Sequence, residues 1–431
     1  MTFKKEAKFS RENFQSGRAD GRFDRSLGFI YDFLRRKEPA LSFDKVTTPE
    51  EFPAWREKVR VKLRELLRMR DHAQPEFVLL KDEKREGYRL FHYEFYPEEN
   101  LAVPFLMLIP DDVLAGARKA PAVICNSGAG ASKESLAGEP STYPNRYPLR
   151  NRQAWWYVKA GFISIAVDNP GTASCSEPGI PYGLTQLRFY SLLLRSGRTY
   201  QGFITEQRLM LLEFLKNHPL VDAERLACSG LSLGCGGVLY TTVLSDDVKA
   251  MIYNDFVCDG DARIFSVTEF PASPVMAASF IPGAADWFAI QPDLTASVAP
   301  RPVLLAEGGA WKGNIEKIVR AYELLGAREN LSLHYYRKYS DPASRQYDDV
   351  DLRNTTGLTP MDFLDHSYVD VSQHSFHPEL AIPWLTKLFF GKECDNPGLL
   401  REINDSIHEK EHFFNADDEE IFPEEKVKTS K

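Results

Sequence analysis

The chain has 431 residues, of which 43% are hydrophobic and 26% are charged. These proportions are close to those of an average globular domain and exclude a fibrous or largely disordered chain. The net charge is −8, and the absence of a basic excess argues against nucleic acid or an anionic membrane as the main partner.

The compartment is predicted from the N-terminus and the cysteines. The first residues include lysines but no apolar stretch of about 7–15 residues behind them, as a secretory signal would require. No run of about 18 apolar residues occurs, so no membrane-spanning helix is expected. None of the six cysteines forms a CxxC pair, and several, such as Cys125 and Cys228, lie in apolar runs. We therefore expect reduced, buried cysteines in a cytoplasmic protein.

The predicted elements begin with a helix at Thr48, where a capping residue precedes Pro49 and two acidic residues. Segments 76–81, 88–96 and 102–109 are β-rich and separated by charged turns, which predicts an antiparallel meander. Apolar residues of the helix recur at helical spacing and form one face: Phe52, Val59, Leu63 and Leu66.

From residue 122 onwards, short apolar strands alternate with helical segments. Strands are predicted at 122–125, 162–167, 226–228, 249–254, 302–306 and 331–336. Helices are predicted at 151–160, at 199–217, from 233, at 314–325 and, as the last one, at 378–390. This alternation is typical of a mostly parallel sheet that is covered by helices on both faces.

Three regions follow from this pattern. We expect an N-terminal helical extension at 1–75, an α/β domain at 76–392 with an insertion at 257–300, and an acidic C-terminal tail at 393–431. The last fifteen residues contain six acids and three lysines, which is typical of a solvated tail. The insertion and residues 339–373 are long for loops inside a domain, so they are expected to be functional or to carry short helices.

The segment 230–234 reads Gly-Leu-Ser-Leu-Gly, a GxSxG pattern between a predicted strand and a helix of small residues. In this setting the serine lies on a strained turn with its hydroxyl at the C-terminal edge of the sheet, and the glycines leave room for the close-packed backbone. Ser232 is therefore the candidate nucleophile. The N–H of Leu233, at the start of the helix, can donate to an oxyanion.

A serine nucleophile needs a base, and five residues compete for the supporting roles. His374 lies before the predicted last helix, in a loop that can reach back over the serine, and His366 is a competitor. His377 is expected to serve the helix end. Glu307 follows a predicted strand, where a carboxylate can orient the histidine, and Asp255 is a second candidate for this acid.

The first central strand ends in 126–134, a stretch of small residues in which the N–H of Ser127 or Gly128 can approach a substrate oxygen. A Gly-x-Gly after a strand can also bind phosphate. Here there is no third glycine at dinucleotide spacing and no GK[ST] motif, which argues against a nucleotide site. We predict an oxyanion site and neither a cofactor nor a metal.

With these segments the sequence resembles the α/β-hydrolases, and within them the acetyl xylan esterase-like group related to dienelactone hydrolases. The resemblance covers residues 75–392 and rests on four segments: 126–134, 161–171, the Ser232 motif and 281–305. It implies an α/β-hydrolase fold and a serine esterase that deacetylates a carbohydrate or a related small ester through an acyl-enzyme. Relatives often carry an aspartate near 309–313, where this chain has Ala310-Trp311-Lys312, so the acid stays open between Glu307 and Asp255.

Two other functions stay open on the sequence alone. One is a serine peptidase of the prolyl-oligopeptidase type, although the residues before the meander are too few for the propeller domain of that family. The other is an inactive hydrolase fold retained as a binding protein. The predicted partner is a small-molecule or carbohydrate ester, with a homo-oligomer as an option. Aromatic residues of the insertion are expected to wall the pocket or to pack the insertion itself: Phe265, Phe270, Phe280, Trp287 and Phe288.

Overall fold

The computed structural model describes residues 7–8, 16–17, 20–24, 26–128, 131–141, 151–177, 182–254, 280–308 and 312–414. The strands are β1 (Ala7–Lys8), β2 (Phe77–Arg85), β3 (Tyr88–Glu98), β4 (Leu101–Pro110), β5 (Ala120–Asn126), β6 (Ile163–Val167), β7 (Val221–Leu231), β8 (Val248–Asn254), β9 (Val303–Leu305), β10 (Leu331–Leu333) and β11 (Thr355–Thr356).

The described residues also form α-helices. They are α1 (Ser26–Arg35), α2 (Phe52–Leu66), α3 (Asp111–Leu114), α4 (Lys133–Ala137), α5 (Gln153–Lys159), α6 (Tyr182–Arg195), α7 (Tyr200–Asn217), α8 (Gly234–Leu244), α9 (Ile290–Val298), α10 (Lys312–Leu324), α11 (Pro360–His366), α12 (Pro378–Phe390) and α13 (Pro397–Phe414). None of the helices within the described ranges is both long enough and apolar enough to span a bilayer.

A nine-stranded sheet forms the centre of the molecule, in the order β10-β9-β8-β7-β5-β6-β4-β3-β2. Strands β5 to β10 run parallel, and β4, β3 and β2 form an antiparallel meander at one edge. Asn126 pairs with Gly230, and Leu231 pairs with Asn254. The register therefore brings the carboxyl ends of β5, β7 and β8 together at one edge, where a site can form.

Helices cover both faces because the central strands are apolar on both sides. Every residue of β5 and β6 is buried. Along β5, Ala122 and Ile124 belong to one core cluster, whereas Val123 and Cys125 belong to another, as the alternation of side chains along a strand requires. Residues of α2, α7 and α8 pack in the first cluster, and residues of α5 and α12 pack in the second. The α/β-hydrolase fold class predicted from the sequence is confirmed.

The meander and the apolar face of α2 are confirmed, but the predicted start of α2 is wrong. The helix begins at Phe52 with Glu51 as its N-cap residue. The Glu51 carboxylate accepts hydrogen bonds from the main-chain N–H groups of Thr47 and Thr48, at 2.9 and 3.2 Å. These bonds hold the residues before the helix in a turn, so Thr48 does not cap it. All four predicted apolar positions of α2 are buried in the core.

The predicted C-terminal tail is also wrong in part, because α13 occupies 397–414 and α12 is not the last helix. Leu399 and Ile403 of α13 are buried against the core on the α12 side. They lie four residues apart on one face of a largely polar helix, whose average composition hides this apolar pair. Helices α1 and α6 were likewise not predicted, and the two long loops contain α9 and α11, as expected. Within the described residues, none of the five cysteines forms a disulfide and three of them are buried; Cys258 lies outside the described residues.

Candidate active site

Ser232 lies on the turn between β7 and α8 with a φ of 53°. A non-glycine residue in this left-handed region is strained, and such strain persists only where the surroundings hold it. The Ser232 N–H donates to the main-chain oxygen of Asn254 at 3.1 Å, so the end of β8 fixes the turn. The GxSxG serine thus has the geometry of a nucleophile elbow.

The two glycines of the motif are required by close contacts on either side of Ser232. A Cβ atom on Gly230 would lie 2.8 Å from Val238 Cγ2, and one on Gly234 would lie 2.5 Å from the main-chain oxygen of Asn126. Real Cβ atoms do not approach so closely, so only glycine lets α8 begin this near to β5.

The candidate oxyanion loop packs directly against the elbow. A Cβ on Gly128 would lie 3.5 Å from the Ser232 Cβ, so the main chain at Gly128 borders Ser232. Leu233 precedes the first residue of α8, where N–H groups lack an intrahelical acceptor. Ser127 is buried, and its main-chain oxygen accepts a hydrogen bond from Asn169 Nδ2 at 2.9 Å. The three predicted oxyanion residues therefore lie beside Ser232 or its turn.

A buried arginine on α7, which sequence reasoning did not find, binds the side chains at the start of this loop and after β6. Arg208 Nε donates to Asn126 Oδ1 at 2.6 Å, and its Nη2 donates to Asn169 Oδ1 at 2.7 Å. Burial lowers the pKa of Arg208 to about 10, which leaves the guanidinium charged at neutral pH. Its positive charge thus lies under the carboxyl ends of β5 and β6. Only the fold brings the partners together, since they are 82 and 39 residues away.

Glu307 follows β9 and is the hub of the other half of the site. Its Oε2 accepts hydrogen bonds from His374 Nδ1 at 2.7 Å and from the Tyr336 hydroxyl, which also lies 3.2 Å from that nitrogen. Its Oε1 accepts from the N–H of Ser375 at 3.2 Å and faces His377 Nε2 at 3.1 Å. Four donors therefore surround one fully buried carboxylate.

The electrostatic balance keeps Glu307 ionised. Burial alone would raise its pKa, but the charges and hydrogen bonds of His374 and His377 more than compensate and lower it to about 2. An ionised carboxylate only accepts hydrogen bonds, so His374 must donate through Nδ1. The other ring nitrogen, Nε2, is then the one that can take up a proton, which is the tautomer that a general base needs.

Asn254, at the end of β8, ties the two halves together and was also missed from the sequence. Its main-chain oxygen accepts from the Ser232 N–H. Its side-chain Nδ2 donates to the Ser375 main-chain oxygen at 2.9 Å, and its Oδ1 accepts from the His377 N–H at 2.9 Å. The loop that carries His374 is thereby anchored beside the elbow.

The residues that competed with His374 and Glu307 in the sequence analysis are His366, Asp255 and His377. His366 ends α11, where its Nδ1 lies 2.6 Å from the Asp362 main-chain oxygen and its ring stacks on Tyr347. Asp255 lies outside the described residues. His377 is the N-cap residue of α12, as expected for a residue at the helix end, but its contact with Glu307 was not expected.

Two aromatic residues of the predicted insertion pack in or against the hydrophobic core. Phe288 is buried in the core and Trp287 packs against it, whereas Phe265 and Phe270 lie outside the described residues.

Metal-ligating atoms of His72, Glu98 and Glu206 lie within 4.8 Å of one another. Arg198 donates hydrogen bonds to both Glu98 and Glu206, so its guanidinium already compensates the charge of these carboxylates.

A strained serine after a central strand, a buried glutamate–histidine pair and a main-chain loop of small residues, all at the carboxyl edge of a parallel sheet, define the α/β-hydrolase class. The chain belongs to the Abhydrolase family, whose model matches residues 6–387.

Comparison with solved structures agrees with this membership. A protein from Bacteroides fragilis NCTC 9343, provisionally assigned as an acetyl xylan esterase, is 32% identical, with a TM-score of 0.77 over 88% of this chain and 100% of that chain. The methylesterase BT1017 shares the fold at 15% identity, with a TM-score of 0.51 over 88% of this chain and 80% of that chain. No curated protein sequence matches the chain.

Proposed function

We propose that the protein is a serine ester hydrolase that removes a small acyl group, such as acetate, from a carbohydrate or a related small ester. The observation that carries the proposal is the pairing of His374 with the buried, ionised Glu307, in a loop that Asn254 anchors to the Ser232 turn. The similarity to the Bacteroides fragilis protein favours an acetylated carbohydrate as substrate.

In this mechanism, the Ser232 hydroxyl attacks the ester carbonyl while His374 Nε2 takes its proton. Glu307 stabilises the imidazolium that forms. The N–H of Leu233, with that of Ser127 or Gly128, holds the tetrahedral oxyanion, each N–H contributing about 3 kcal/mol. The imidazolium then protonates the leaving alcohol. Water attacks the acyl-enzyme by the same route and releases the carboxylic acid and the free serine.

The direct test is the variant Ser232→Ala, assayed with p-nitrophenyl acetate and with acetylated xylo-oligosaccharides. We expect turnover to fall by about 10⁴-fold or more, because no other group supplies the nucleophile. The matched control is Ser191→Ala on the exposed side of α6, whose hydroxyl donates to the main-chain oxygen of Leu187 in the same helix; its turnover should equal that of the wild type.

Other outcomes would point elsewhere. Unchanged turnover in Ser232→Ala would remove Ser232 as nucleophile. Cleavage of peptide naphthylamides faster than esters would favour a peptidase. Failure to react with a fluorophosphonate probe, together with carbohydrate binding measured by calorimetry, would favour a binding protein without catalysis.

A further inference from the structure

We propose that His377 is a positioning residue that acts on Glu307 as a fixed positive charge and thereby sets the pH at which His374 becomes available as a base. The inference rests on the proposed roles of Ser232, His374 and Glu307, and it adds His377 and Glu379 to them. The functional unit is then a chain of four alternating groups: His374, Glu307, His377 and Glu379.

The geometry of the His377 ring carries the inference. Its Nε2 lies 3.1 Å from Glu307 Oε1, and its Nδ1 lies 2.7 Å from Glu379 Oε1. An ionised carboxylate offers no proton, so a ring placed between two carboxylates must donate from both nitrogens. A ring with two N–H groups is an imidazolium. The His377 side chain is only 13% exposed, so water screens its charge weakly.

The surroundings of His377 keep it charged at neutral pH. Burial lowers its pKa, but the hydrogen bonds and charges of Glu307 and Glu379 outweigh burial and raise the pKa to about 9. His334, which follows β10, is near enough to respond to this charge, since its own pKa is lowered by burial and by the charge of His377. His374 lies on the far side of Glu307.

The consequence falls on the proton of His374. The negative charge of Glu307 stabilises the protonated His374 ring, the imidazolium, which cannot act as a base. His377 neutralises part of the carboxylate charge from the opposite oxygen and weakens this pull. Glu379 restores some of it. The net charge of the cluster therefore controls the pH below which His374 is protonated and the enzyme is inactive.

Two variants change that net charge in opposite directions. His377→Gln removes one positive charge but keeps an N–H donor near Glu307, so the acidic limb of kcat/KM should move to higher pH by about one unit. Glu379→Gln removes one negative charge while Glu307 still pairs with His377, so the limb should move to lower pH by about half a unit. A simple loss of packing would lower the activity of both variants without moving their acidic limbs in opposite directions.

Matched controls separate charge from disturbance of the fold. His218→Gln alters a histidine at the end of α7, and Glu393→Gln alters an exposed partner of Lys387; neither should move the limb. Folding of each variant is checked by circular dichroism and thermal unfolding. If His377→Gln does not fold, Glu379→Gln decides the matter together with an NMR titration of the wild-type ring, which should stay doubly protonated at pH 8.

A second readout comes from stability. The folded-state pKa of His377, about 9, exceeds the ordinary value of about 6.5 for an unfolded histidine. Its stabilising contribution is therefore complete below about pH 6.5 and is lost as the pH rises through about 9. The wild type should lose more unfolding free energy than His377→Gln across this range.

The outcomes are distinct. Limbs that stay in place, or that move in the same direction in both variants, would overturn the role of His377 while leaving the proposed function intact. Retained turnover in Ser232→Ala would overturn the proposed function itself. Opposite shifts, with Ser232→Ala inactive, support both.

Discussion

The two halves of the candidate site are built in different ways. The elbow half consists of the Ser232 turn and the candidate oxyanion loop, and it depends on main-chain contacts and on glycines, which have no side chain. A Cβ on Gly234 would meet the main chain of both Asn126 and Ser127, at 2.5 and 2.7 Å. The histidine half has Glu307 at its centre and depends on side-chain hydrogen bonds. The partners of Glu307 lie 29 to 70 residues further along the chain.

This difference decides which half tolerates change. Main-chain contacts between β5, β7 and α8 leave no room for an added atom, so the elbow half should fail by steric clash. The four donors around Glu307 share one charge, so the histidine half should depend steeply on that charge and weakly on any single uncharged donor.

The largest effect is expected for Glu307→Gln, which removes the charge and keeps the size. His374 then loses the acceptor that fixes its tautomer, and the positive charge of His377 loses one of its two partners, so kcat should fall by about 10³–10⁴-fold. The measurement is kcat for p-nitrophenyl acetate at pH 8, with Glu402→Gln as a control on the surface pair with Lys159. A fall of less than tenfold would mean that the acid is another residue, with Asp255 the first to test.

A smaller effect on turnover, with a loss of stability, is expected for Gly234→Ala. The added methyl group would push α8 away from β5, which should lower kcat/KM by about 10²-fold and destabilise the fold by about 1–3 kcal/mol. The control is Gly398→Ala in α13, where the nearest atom would lie at 3.4 Å; its helix should gain up to about 1 kcal/mol. Normal activity and stability in Gly234→Ala would show that the elbow can relax, contrary to the comparison above.

The same difference explains what could be predicted from the sequence. Ser232 was found because its GxSxG motif lies within five consecutive residues, and the parallel sheet was found because buried strands are apolar throughout. Glu307 could be inferred only from its position after a strand. Tyr336, Asn254 and Arg208 carry no local signal, since each acts through partners that only the fold brings near. For the same reason α13 was missed, because its two core residues are recognisable only once α12 is in place.

The smallest effect is expected for Tyr336→Phe, which tests the histidine half without changing its charge. The variant removes one of four donors to Glu307 and keeps the ring, which is buried. The lost hydrogen bond should cost about 1 kcal/mol of stability and lower kcat by less than about tenfold. The control is Tyr339→Phe, whose hydroxyl donates to Asp365 at 2.7 Å outside the site; it should lose similar stability and no activity.

A loss of about 10³-fold in Tyr336→Phe would contradict this view of the histidine half, because it would make a neutral hydroxyl as important as the carboxylate charge. With one donor gone, Glu307 should instead attract the His374 proton slightly more strongly. The acidic limb of kcat/KM should then move to higher pH, in the same direction as in His377→Gln but by a smaller amount, because a dipole is removed rather than a full charge. The relative size of the limb shifts in Tyr336→Phe and His377→Gln measures how far charge, rather than the number of hydrogen bonds, governs the histidine half of the site.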